Sequence, residues 1–88
     1  MKTIYKYPID PAFDAFNMPK GAKVLTVQTQ DGKPFIWAIV DLDQKEVEVR
    51  KFVPYGTGHL LPDDPGRYVG TFQLNGGALV FHLFEQTP

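Results

Sequence analysis

His59 and His82 are the only two imidazoles in the chain, and the first closes a glycine-framed run, Gly56-Thr57-Gly58-His59. Successive backbone N–H groups in such a run can form an anion nest, with the Thr57 hydroxyl and a titratable His59 as further donors. With His59 or His82 donating and Arg67 or Arg50 as counter-charge, the run reads as a site for the phosphate of a nucleotide-sized ligand. A structural reading competes with it. The glycines permit left-handed backbone, Leu60 and Leu61 reach into the core, and Asp63-Asp64-Pro65-Gly66 forms a turn. Phosphate loops usually feed a helix N-terminus, whereas Leu60-Leu61-Pro62 follows here.

Other chemistry is thinner. His59 and His82, with Asp63, Asp64 or Glu85 near them in sequence, could serve as metal ligands or as the acid–base pair of a hydrolase, but their spacing matches no metal motif. The chain has neither cysteine nor serine. Thr57 is the hydroxyl best placed near a histidine, and threonine seldom acts as a nucleophile without an N-terminal amine or comparable base. No catalytic residue, metal or other cofactor is therefore expected. Trp37 and Phe35, with Tyr55, Arg50 and Lys51, could form a stacking surface for a nucleotide or single-stranded nucleic acid, the scant positive charge favouring the nucleotide, although aromatic residues on strands more often belong to the core.

These residues must be held by a small body. The chain has 88 residues, 43% of them hydrophobic and 14% aromatic, with eight glycines and eight prolines. Such a domain, 1–88, buries only roughly 60% of its unfolded surface, so its core must be dense or shared with a partner. Nine basic and ten acidic residues leave a net charge of −1. No basic stripe is available to neutralise successive phosphates of duplex nucleic acid. No segment reads as a signal peptide or a membrane span, so a soluble, cytoplasmic protein is expected.

Short runs rich in Val, Ile, Phe, Tyr and Thr, bounded by Gly, Pro, Asp or Asn, predict six strands: Thr3–Tyr7, Lys23–Gln30, Pro34–Asp41, Glu46–Val53, Tyr68–Leu74 and Ala78–Glu85. Pro11–Asn17 is given at most one helical turn, with Asp10 as N-cap. Asp31-Gly32 predicts a type I′ hairpin pairing Gln30 with Lys33, Val27 with Ile36 and Leu25 with Ala38. Its core face is then Leu25, Val27, Ile36, Ala38 and Val40. The opposite face, bearing Phe35, Trp37 and Ile39, needs a cover from the chain, a second subunit or a ligand. Asn75-Gly76 predicts a second hairpin, pairing Leu74 with Gly77, Phe72 with Leu79, Gly70 with Phe81 and Tyr68 with Leu83, which puts His82 on the other face beside Val69. Glu46–Val53 alternates charge with valine and so has one face in solvent. The fold class is all-β: a compact, mostly antiparallel six-stranded sandwich or a partly open small barrel.

Met18-Pro19-Lys20-Gly21-Ala22, Trp37-Ala38, Gly56-Thr57-Gly58-His59, Tyr68-Val69-Gly70-Thr71 and Val80-Phe81-His82-Leu83-Phe84-Glu85 together resemble a family of short proteins of unknown function from bacteriophages and prophages. The likeness runs from about Ile4 to Glu85, with departures at Phe35-Ile36 and at Leu42, where the pattern has proline. It implies a phage origin and the host cytoplasm, and transfers no activity. The expected function is a non-enzymatic protein-binding or inhibitory module, able to counter a host defence. Its partner is a host or phage protein or a second copy, with no duplex nucleic acid or membrane involved. The alternative is a nucleotide-binding protein. Gly56, Thr57, Gly58, His59, His82, Trp37 and Arg67 are the expected contact residues.

Overall fold

The computed structural model describes residues 1–10 and 15–86. Seven strands run in chain order: β1 Lys2–Pro8, β2 Ala15–Pro19, β3 Lys23–Gln30, β4 Lys33–Asp41, β5 Val47–Gly56, β6 Arg67–Leu74 and β7 Leu79–Gln86. They form two antiparallel sheets, β1-β4-β3 and β2-β5-β7-β6. The all-β sandwich expected from the sequence is therefore present, with one strand more. That strand is the correction: Ala15, Phe16 and Asn17, expected in a helical turn, pair with Lys51, Arg50 and Val49 of β5. The rest of that turn, residues 11–14, lies outside the described residues. Pairing with β5 buries Met18 completely, which one helical turn could not do. Among the described residues no helix is long and apolar enough to cross a membrane.

The first hairpin turns as expected, with positive φ at Asp31 (53°) and Gly32 (77°), and Val27 faces Ile36. Past that point a bulge at Leu25 pairs Val24, rather than Leu25, with Ala38. Val24 is buried in consequence and Leu25 exposed. The second hairpin departs differently. Asn75, Gly76 and Gly77 all have positive φ in a 3-10 turn that Ala78 closes by donating to the Asn75 carbonyl, so Leu74 faces Leu79. The shift is even, so Phe72, Phe81 and Leu83 keep the face expected of them. A second bulge, at Val69, then moves Tyr68 to the opposite face from Gly70. The two bulged strands meet where the sheets converge, and a Cβ on Gly70 would lie 2.8 Å from a Val27 methyl. Only glycine fits at that crossing.

The core comprises Met18, Ala22, Val24, Val27, Ile36, Ala38, Val40, Phe52, Phe72 and Leu83, and Glu85 is buried beside it. The Glu85 carboxylate accepts from Arg50 Nε and, at 3.0 Å, from Arg50 Nη2. Arg50 Nη1 donates to the Ala22 carbonyl at 2.8 Å and lies 3.3 Å from Glu48. The Glu85 hydrogen bond outweighs partial burial and holds the guanidinium above its ordinary pKa. Phe52 and Arg50 thus face inward together, and by strand alternation Val47, Val49, Lys51, Val53 and Tyr55 face outward.

Breaking a buried pair leaves an uncompensated charge, whereas replacing both partners by apolar residues is often neutral. Glu85→Ala is expected to cost about 3 kcal/mol in urea unfolding, and Arg50→Met with Glu85→Leu to restore most of it. A cost for Glu85→Ala below about 1 kcal/mol, within the range of exposed ion pairs, would show that the pair does not set the strand.

Candidate functional site

Gly56 ends β5 and pairs with Phe81, which carries the next residues over the outer face of the four-stranded sheet rather than into the core. Leu60 is 96% exposed and Leu61 50%, so neither leucine reaches the core as the sequence suggested. The connector returns through an Asx turn in which Asp64 Oδ1 accepts from the Gly66 N–H at 3.2 Å. Gly66 has a φ of 96°, and a Cβ there would fall 2.3 Å from the Glu85 carbonyl oxygen. The turn therefore depends on glycine both for its backbone conformation and for its closeness to β7.

His82 sits at the middle of this outer face, opposite Tyr55 on one side and Thr71 on the other, rather than beside Val69. Thr57 Oγ1 lies 2.7 Å from His82 Nε2, and Thr71 Oγ1 lies 2.9 Å from Nδ1. The Tyr68 hydroxyl is 2.6 Å from Thr71 Oγ1, a contact that exists because the Val69 bulge turned Tyr68 to this side. Thr57 Oγ1 also lies 3.4 Å from the Val80 carbonyl, which can only accept. For the neutral ring one assignment uses all four contacts: Tyr68 donates to Thr71, Thr71 to His82 Nδ1, His82 Nε2–H to Thr57, and Thr57 to Val80. It orients the imidazole and places the proton of the neutral form on Nε2.

A shallow cavity of about 250 Å³ opens beside this chain of hydrogen bonds, lined by Tyr55, Gly56, Thr57, Gly58, His59, Leu61, Tyr68, His82 and Phe84. The rings of Tyr55 and Tyr68 meet Phe84 edge-on, at centroid distances of 5.9 and 5.5 Å. The His59 ring lies on Gly56, where a Cβ would be 2.9 Å from its Nδ1. The structure thus brings Gly56, Thr57, Gly58, His59 and His82 to one cavity. Trp37 belongs to the other sheet, and Arg67 is exposed outside the lining. Arg50 is engaged by Glu85 on the inner side.

The N–H groups of Thr57 and His59 donate to the carbonyls of Val80 and Gly56, so the run does not turn four donors toward a common anion. A hydrolase would need an acidic partner for the imidazoles, and the lining has no carboxylate. Among the described residues no three His, Cys, Asp or Glu side chains cluster in a way that could hold a metal ion. What the cavity offers instead is aromatic wall, aliphatic rim and a fixed imidazole floor.

Val47 and Val49 continue this face along β5, and they are the residues that sequence reasoning passed over. A signal was available: they share strand parity with Val53 and Tyr55 and oppose that of Phe52, so they cannot all be inside.

Long-range nitrogen–proton NMR at alkaline pH, where an imidazole is neutral, is expected to show His82 protonated on Nε2 alone. Thr71→Val should mix the tautomers while changing stability by about 1 kcal/mol or less. A proton found on Nδ1 of the neutral wild-type ring would contradict the chain of hydrogen bonds.

A family model described as a domain of unknown function, DUF7352, matches residues 1–88. No curated protein and no solved structure matches the chain.

Proposed function

This chain belongs to the DUF7352 family of domains of unknown function, and we propose that it is a non-enzymatic protein-binding module docking through the outer face of its four-stranded sheet. The observation that carries this is the orientation of β5. Val47 and Val49 are 65% and 66% exposed, while Glu48 and Arg50 between and beyond them turn inward. Leaving two valines mostly in water forgoes on the order of 2 kcal/mol of burial. Together with Val53, Tyr55, Tyr68 and Phe84 they form a largely apolar surface, interrupted by Lys51 between Val49 and Val53, of the kind that marks an interaction site. The cavity at its end suits one aromatic or aliphatic anchor from a partner, the arrangement in which a few buried side chains carry most of the affinity.

The partner is a host or phage protein, or a second copy of the chain. Resemblance to phage and prophage proteins supports a role in the host cytoplasm, where a small inhibitory domain could blunt a defence. A nucleotide-sized ligand in the same cavity is the second reading, favoured by the proximity of Gly58, His59 and His82 there. It has no lining cation in support, and it requires that some nucleotide raise the melting temperature.

Val49→Lys adds a second charge beside Lys51 on the face without touching the core. Its melting temperature is expected to stay within about 3 °C of wild type. Native mass spectrometry and partner capture from host cells should find wild type self-associated or in a complex, and the variant alone. A variant that associates as wild type does would refute docking through this face.

A further inference from the structure

The outer face of the three-stranded sheet, on the opposite side of the sandwich, carries a chemically different surface. Phe35 and Trp37 stand two residues apart on its central strand, ring centroids 6.4 Å apart and planes tilted by 53°. Lys6 pairs with Trp37 and Lys2 with Asp41 on one flank, and Lys23 pairs with Ile39 on the other. Lys33 begins β4 on the same face. Four of the nine basic residues are thus collected around two aromatic rings in a chain whose net charge is −1. Against them stand Asp41 and Asp43, both engaged by the Met1 amino group, and the turn residue Asp31. The Lys6 ammonium lies 4.6 Å from the Phe35 centroid and 5.6 Å from that of Trp37, and donates to Gln30 Oε1 at 2.6 Å. Thr26 and Gln28 lie along the β3 side of the same face, in register with Trp37 and Phe35. Among the described residues, Trp37 Nε1 is the buried side-chain polar atom that lacks a hydrogen-bond partner.

We propose that this face binds a short stretch of single-stranded nucleic acid. Unpaired bases supply π-faces for the Phe35 and Trp37 rings and polar edges for the exposed Gln28 amide. Their phosphates supply the charge that Lys2, Lys6, Lys23 and Lys33 match, and the local field rather than the net charge governs that attraction. An acidic peptide would satisfy the lysines but leave the ring faces without a planar partner. A duplex keeps its bases stacked, and four lysines neutralise few of its phosphates.

Trp37 is the chain's single tryptophan, so its fluorescence reports on this face alone. Oligothymidylate added to the full chain is expected to quench it saturably. If about three phosphates are contacted, affinity should fall roughly 20-fold between about 50 and 200 mM salt. Lys23→Glu with Lys33→Glu, both exposed positions, should keep the fold, weaken binding and flatten the salt dependence. Trp37→Leu should abolish retention of a labelled oligonucleotide, and Leu60→Ala, in the exposed connector over the other sheet, should bind it as wild type does. Absence of quenching at the lower salt would overturn the proposal. So would an equal response to polyglutamate or to duplex DNA, which would make the face a site for charge alone. Should Trp37→Leu fail to fold, the double lysine variant decides: unchanged affinity and salt slope would also overturn it.

Discussion

One charged contact inside the sandwich, Arg50 against Glu85, sets how the four-stranded sheet faces the rest of the molecule. Phe52 and Arg50 have the same parity on β5, so burying the ring and pairing the guanidinium are one decision. Strand alternation leaves no freedom after it: Val47 and Val49 must point away from the core. Reversing that strand would bury Val47 and Val49 but would expose Phe52 and turn Lys51 inward. The price of the inward charge is accepted where it places an apolar surface outside.

Two bulges then arrange what lies on that surface and beneath it. At Leu25 the extra residue brings Val24 into the core, and at Val69 it turns Tyr68 outward. They occur where β3 and β6 cross, at a point so close that Gly70 admits no side chain. Bulges bend and twist their strands, which is what two sheets need in order to converge along one side without joining into a barrel. The hydrogen-bonded series from Tyr68 through Thr71 and His82 to Thr57 depends on this geometry. Its effect is to tie the Gly56–His59 loop to the sheet, so that the cavity beside it has a defined floor.

Much of the architecture was legible because strand signals are local. Asp31-Gly32 fixed a hairpin with the right register near its turn, and the second hairpin kept its faces because its error was an even number of residues. Bulges leave no such local mark, so Leu25 and Tyr68 were assigned to the wrong sides. β2 was missed because Pro11 and Asp10 look like a helix start, whereas the burial of Met18 against β5 is a long-range gain that propensity does not contain. The meeting of Gly56–His59 with His82 followed from two separate stretches that share one outer face, and the sequence could name both without showing that they touch. Leu60 and Leu61 misled for a plainer reason, since a leucine in a connector reports hydrophobicity and not direction.

The two outer faces divide the molecule's chemistry: valine and tyrosine around a fixed imidazole on one, lysine around tryptophan on the other. Only the first depends on the charged contact under the sheet, and the proposed docking function depends on it in turn. Methyl NMR with a soluble paramagnetic agent tests that dependence most directly. In the free protein the Val47 and Val49 methyls should relax strongly while those of Val24, Val27 and Val40 stay protected. On self-association or partner binding the first two should become protected as well. Val47 and Val49 methyls shielded in the free monomer, or still exposed in the complex, would contradict the account.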